Sequence, residues 1–471
     1  MKSFPQLVAL VLALLALVLG SCIDDGYTTS SSDVLAFSTD TVTFDTVVTR
    51  QGTVTKQFIV YNHASKQVSI SSIKVAGNPN GRFFINVDGV KGEEFHDVDI
   101  RGGDSIFVFV ECKVNAANAE EPLAVVDSIE FVTNGVTQFV TLTAWGQDVV
   151  TIHGDTLHTD LHLTAERPYV IYDTLVVAPG VKLTVDPGAQ LLFHKGALLR
   201  VYGRMLAVGT AEAPITLRGD RMDNVVGDIS FDIMPGQWGG VVFGYGSYDN
   251  EWAYVTMKSS ELGMHCSSTD PEQRTLHLLN CVLRNTSSST LTTLNARIDA
   301  EGTEFSDCAA GVVHFIGGNV HLVNCTLANY YLFAAPAEPI LNVWKEHATE
   351  QVMPLTAYFD NCVIYGLASD INVGVLDNYE VYLRHCLLRS NGTDDTRFIN
   401  CVWAGDPKFY TVREDYVFDY RLHNESDAIG RGNRDLCPDG ARYDRFGNDR
   451  FARTDLDLGA YVWVPEAVDE Q

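Results

Sequence analysis

Leu278-Leu279-Asn280-Cys281-Val282-Leu283 opens a phrase that the chain repeats five more times. It returns as Phe305-Ser306-Asp307-Cys308, Leu322-Val323-Asn324-Cys325-Thr326-Leu327, Phe359-Asp360-Asn361-Cys362-Val363-Ile364, Leu383-Arg384-His385-Cys386-Leu387-Leu388 and Phe398-Ile399-Asn400-Cys401-Val402-Trp403. Successive cysteines lie 27, 17, 37, 24 and 15 positions apart, so the phrase is fixed while the connecting loops vary. Two residues before the polar corner there is always Leu or Phe, and apolar side chains alternate again from the Cys onward. Period two on both sides of a bend means two short strands with apolar inward faces. The corner suits Asn, Asp or His, which tolerate left-handed backbone or bond it locally. One phrase cannot bury a core, but stacked phrases bury a continuous column.

Stacked strands would bring the cysteines about 4.8 Å apart, within Cα range of a disulfide. Parallel in-register side chains point the same way and rarely offer the required dihedral, so we read them as buried thiols acting as small hydrophobes. No CxxC or close Cys/His cluster occurs, so no metal site is expected.

The phrase with its corner Asn residues resembles the right-handed parallel β-helix proteins of the pectate-lyase-like superfamily. Upstream, Leu175-Val176-Val177-Ala178-Pro179-Gly180 and Leu183-Thr184-Val185-Asp186-Pro187-Gly188 resemble the opening turns of bacterial surface β-helices. Together they imply a solenoid over 149–410. The fold supports lyases, hydrolases, adhesins and inert spacers, so it fixes architecture and leaves activity open. Before it, alternating segments such as Lys56-Gln57-Phe58-Ile59-Val60-Tyr61 and Ile106-Phe107-Val108-Phe109-Val110 indicate a β-sandwich over 34–148. Its segment order resembles the Hydin-like branch of immunoglobulin-like domains. After Trp403 the phrase stops, and 411–471 is expected as a cap over the last hydrophobic layer. Asp444, Asp449, Asp455 and Asp457 there are read as turn formers and partners of Arg, since EF-hand spacing is missing. The expected fold is all-β: an Ig-like sandwich, a right-handed parallel β-helix and a C-terminal cap.

At 471 residues and 46% apolar composition, more than one core is affordable, and the net charge of −27 argues against nucleic acid as a partner. Lys2, the apolar run 7–19 and Leu19-Gly20-Ser21-Cys22 have the three regions of a secretory signal over 1–21. The Cys after Leu-Gly-Ser resembles a bacterial lipobox, which implies lipidation of Cys22. Asp24-Asp25 resemble the acidic tag that sends some Gram-negative lipoproteins to the outer leaflet, implying a lipid-anchored protein of the outer membrane. Residues 22–33, polar and small, read as a flexible tether.

No nucleophile elbow, HExxH, Walker loop or dinucleotide fingerprint occurs, and no cofactor is expected. Counting outward from the corner, His277, Glu304, His321, Tyr358, Tyr382 and Arg397 share one register, with Asp360 and Arg384 beside them. Ring-bearing and hydrogen-bonding side chains in a column suit a glycan or another surface partner; a solvated sheet face that simply favours β-formers is the competing reading. Arg297 and His314 are expected in one register on neighbouring strands, as a catalytic base with its partner. Three functions stay open at this point: a non-enzymatic binding scaffold, a polysaccharide lyase or hydrolase, and a structural spacer.

Overall fold

The computed structural model describes residues 26–49, 55–77, 81–115, 122–226, 229–336, 338–344, 353–371 and 380–466. The signal segment, Cys22, Asp24-Asp25 and the Lys345-Glu346-His347 loop lie outside them. The chain is all-β and divides into two compact units, Met1–Asp148 and Val149–Gln471.

In the first unit two sheets enclose one core. Strands Lys56–Tyr61, Gly81–Val87 and Ser105–Val114 belong to one sheet; Thr41–Val48, Val68–Val75, Leu123–Thr133 and Val136–Gln147 belong to the other. Their alternation buries Val60, Ile85 and Val108 from the first sheet against Ile70, Ile129 and Val140 from the second. Residues 26–33, expected as part of a tether, are held in place: Thr28 N–H donates to the Gln67 carbonyl at 2.9 Å and Tyr27 Oη to Asp99 at 2.5 Å. Composition marks this segment as polar but cannot see the edge that its backbone pairs with.

The second unit is built from parallel ladders. A ten-stranded sheet runs from Val150–His153 to Leu387–Leu388, and a sixteen-stranded one carries two ladders that the long strands Leu291–Glu301 and Val313–Val323 join. The chain alternates between the sheets, and inward side chains stack layer on layer. Trp252, Leu278, Ala300, Leu322, Phe359, Leu383 and Phe398 follow one another in register in the core. Between the two sheets the backbone turns through left-handed residues at Tyr254, Asn280, Gly302, Asn324, Asn361, His385 and Asn400, with φ between 49 and 56°. Asn and Gly meet that requirement at little cost, and the others are held by the layers on either side.

Two expectations fail here. The Cys308 phrase does not belong to this corner. Phe305-Ser306-Asp307-Cys308 lies in the ten-stranded sheet (Glu304–Cys308), and the corner of that layer is Gly302, followed by Thr303 where the Asn and His corners are followed by Cys. Asp307, at φ 54°, forms a second corner with Asn285 and Ser259, at φ 59° and 63°. The local pattern is the same at either end of a strand, so the phrase alone does not say which bend it marks. The C-terminal segment is also no cap over the end of the column. It runs along the flank of the ten-stranded sheet. Leu422, Ala428 and Leu458 pack on Val363 and Leu387, and Tyr420, Ala460 and Tyr461 on Ala328. Parallel sheets need apolar cover on both faces, and these outward positions are apolar. Corner amides join the same strap: Asn280, Asn324 and Asn361 donate to the carbonyls of Tyr443, Asp457 and Asn433 at 2.9, 3.1 and 2.9 Å. In the strap Asp449 pairs with Arg442 at 2.6 Å, Asp457 pairs with Arg453, and Asp444 accepts from the backbone of Phe446 and Asn448.

The ladder cysteines are thiols. Those that follow the Asn and His corners each donate to the carbonyl of the inward residue one layer back, among them Cys281 to Trp252 and Cys325 to Ala300, both at 3.5 Å, and Cys386 to Phe359 at 3.2 Å. Burial pushes the Cys281 thiol up to about 11, so it stays protonated at neutral pH.

Candidate functional site

The outward face of the ladder that ends in strands Leu355–Asp360, Glu380–Arg384 and Phe398–Ile399 collects the ring-bearing residues. His277 pairs with Asp299, Asp299 with His321, His321 with Tyr358 and Tyr358 with Tyr382. Arg397 precedes Phe398, whose partner is Leu383, and therefore follows Tyr382 in the same column. Two positions nearer the corner, Glu301, Val323, Asp360, Arg384 and Ile399 form a second column on the same face.

The two columns meet at Asp360. Its carboxylate accepts from Arg384 Nε at 2.6 Å and Nη2 at 2.5 Å, a bidentate pair, and from His321 Nε2 at 2.8 Å. Asp360 is fully covered, while the His321 side chain is 45% exposed and that of Arg384 29%. Burial pushes the Asp360 carboxyl up, but the bonds from His321 and Arg384 prevail and hold it below the usual carboxylate range. Tyr358 and Tyr382 stack with centroids 5.1 Å apart and planes 14° apart, and the Arg384 guanidinium lies 5.0 Å from the Tyr358 ring. His321 meets the same ring edge-on at 6.1 Å. The facing sides of the two tyrosines are therefore occupied by each other, and polar edges border the solvent. Farther along, His277 lies 3.7 Å from Glu301 and Arg297 3.5 Å from Asp299.

Other expected residues lie elsewhere. Glu304 is not on this face: it is buried in the ten-stranded sheet, accepting from Tyr461 and Ser306 and paired with Arg284 at 2.8 Å. The slip of the Cys308 phrase to the second corner is the reason. Arg297 and His314 are not brought together. Arg297 pairs with Asn319 and His314 with Thr292, on different ladders, because the long strands bend between them. His314, its imidazole pulled down by burial, lies beside Trp344 with ring centres 6.0 Å apart.

Sequence reading missed a second polar cluster, outside the ten-stranded sheet. Arg218 follows Leu217, the partner of Met257, and so sits next to Lys258; Lys258 pairs with Arg284, and Arg284 with Ser306. Asp232, from the turn Phe231–Ile233, binds Lys258 Nζ at 2.6 Å and Arg218 Nη2 at 2.5 Å. Burial pulls both cations below their ordinary values, with Asp232 opposing. Asp307 closes the cluster. The available signal was a cation directly after an inward residue in three layers: Leu217-Arg218, Met257-Lys258 and Leu283-Arg284. Among the described residues no group of three or more His, Cys, Asp or Glu is placed to hold a metal ion.

Together these features define an all-β protein with long parallel ladders, an outward, partly exposed register of rings and charges, and a second polar cluster beneath a strap. No family model matches the chain. The protein bark beetle of Drosophila melanogaster is 32% identical over 89 residues, covering 19% of this chain and 3% of that protein. A family 123 glycoside hydrolase from Clostridium perfringens aligns with a TM-score of 0.17 at 10% identity, over 25% of this chain and 26% of its own. The chain thus spans only a small part of either, and neither likeness carries an argument about fold or activity.

Proposed function

We propose that residues 149–410 form a right-handed parallel β-helix that serves as a non-enzymatic binding scaffold, and that its ladder face takes a neutral or weakly charged glycan. Residues 34–148 are its Ig-like spacer, and a lipid on Cys22 anchors the whole to the outer membrane. The observation that carries the binding reading is the cluster of Tyr358, Tyr382, Arg384 and His321 around the covered Asp360. Asp360 fixes the cation and the imidazole in place, so their remaining donors meet a ligand with little ordering cost. Because the charges of the cluster compensate one another, hydroxyls suit it better than ions. The stacked rings favour contact through edges and hydroxyls over ring-on-ring stacking, along a glycan laid parallel to the ladder.

A glycan array followed by product analysis tests this. Tyr358→Ala with Tyr382→Ala is expected to abolish binding, and raising ionic strength to weaken it little, since hydrogen bonds survive the salt that screens ion pairs. A shortened or unsaturated product would replace the scaffold by an enzyme, and a silent array would leave a spacer. For the anchor, a Gram-negative host should incorporate labelled fatty acid into the full-length chain and not into Cys22→Ser; an unlabelled full-length protein removes the anchor.

A further inference from the structure

On the ring-bearing face the accessible side chains recur once per strand. Glu251 pairs with His277, His277 with Asp299, and the run continues in register through His321 and Tyr358 to Tyr382. Each of the six has a buried residue on either side along its strand, so the core holds its backbone while its side chain reaches the surface. Two positions farther from the corner, Arg297, Asn319, Thr356 and Glu380 form a parallel polar column, again in register and none of them buried. On the corner side Val323 and Asp360 are covered. The polar groups that a ligand can reach over these layers therefore lie along the centre and toward the bend in the long strands. The step between layers is about 4.8 Å. It persists at the surface, where the Tyr358 and Tyr382 ring centres are 5.1 Å apart.

We infer that this face takes a linear, unbranched glycan with equatorial, β-1,4-type linkages, one sugar unit per strand over these six strands, laid between the two columns. The inference rests on the glycan reading proposed above and adds linkage and length to it. A fully extended β-1,4 chain is a flat ribbon whose unit length is close to the layer step, so successive units meet successive layers alike. Its rings turn over from one unit to the next and present hydroxyls at both edges. The two columns stand two residues apart along the strand, about 6.6 Å, and receive one edge each. An α-1,4 chain coils and leaves a straight ladder after a few units. Charges of both signs are interspersed in the columns, with Arg297 3.5 Å from Asp299, so a neutral ribbon gains more than a polyion. Because the groups are fixed before binding, each further unit adds contacts at little ordering cost.

Calorimetric titration of the full-length protein with β-1,4-linked oligomers of glucose, mannose and N-acetylglucosamine, two to six units long, and with α-1,4-linked glucose oligomers of the same lengths tests the inference. In at least one β-1,4 series affinity is expected to rise about threefold to tenfold per added unit up to six, with the six-unit α-1,4 oligomer about tenfold weaker or more, since each unit in place adds roughly one net hydrogen bond. His277→Ala breaks the run and leaves four contiguous positions, Asp299 to Tyr382, so the fifth and sixth units should then add little. A dimer that binds as tightly as the hexamer, an α-1,4 series as tight as the β-1,4 one, or a length dependence unchanged in His277→Ala would overturn the inference while leaving glycan binding in place. If none of these oligomers binds but another glycan does, this inference alone is lost. If no glycan binds, the reading it rests on is lost with it.

Discussion

Phe359→Ala is expected to destabilise the second unit by about 3–5 kcal/mol, the range for emptying a fully buried aromatic site. Phe359 is wholly buried, paired in register with Leu322 on one side and Leu383 on the other, and lies 6.1 Å from the Phe315 ring across the core. A stacked column offers no other element to collapse into the gap, because each layer is held at its neighbours' spacing by the ladder hydrogen bonds. Leu322→Ala should cost about 2–5 kcal/mol for the same reason. Cys325→Ala removes one sulfur and its weak bond to the Ala300 carbonyl and should cost on the order of 1 kcal/mol. Urea unfolding of the three variants gives the comparison. Equal losses for Phe359→Ala and Cys325→Ala would mean that the column is not the source of stability.

The second large effect runs in the opposite direction: Asp307→Asn should stabilise the protein at pH 7.5. The carboxyl is held at about 6 in the folded chain against an ordinary value of 3.8. Below 3.8 it is protonated in both states and contributes nothing. Between 3.8 and about 6 the folded state holds a proton that the unfolded chain has lost, so stability falls as pH rises. Above 6 the penalty is complete, on the order of 2–3 kcal/mol. The amide removes it while keeping an oxygen for Tyr420 and Tyr330. Wild type should therefore lose stability between pH 4 and 7 relative to Asp307→Asn, and the melting curves of the two should converge near pH 3.5 to 4. A variant less stable than wild type at pH 7.5 would make Asp307 a structural tie to the strap.

Much of the fold is legible in residue order because it is a matter of period. Alternation around a polar corner sets strand, bend and stacking, and the left-handed φ values at Asn280, Asn324, Asn361 and Asn400 are what Asn supplies without a partner's help. Burial of the cysteines as thiols follows from parallel register in the same way. The column His277, His321, Tyr358, Tyr382 could be counted from the corner, since along a strand every second side chain shares a face. What residue order left undetermined are the matters that depend on which strand lies beside which. A corner phrase reads alike at both ends of a strand, so counting from it puts Glu304 on a sheet to which it does not belong; a bend inside a long strand separates Arg297 from His314 although each precedes an inward residue. Charged neighbours were equally hidden. Asp360 meets Arg384 and His321 across layers 24 and 39 residues away, and Asp307 meets Tyr420 at a separation of 113. Local composition determines a residue's own backbone preference and the face it occupies, whereas a carboxylate's partners and its solvation are set by chain segments that only folding brings within a few ångströms.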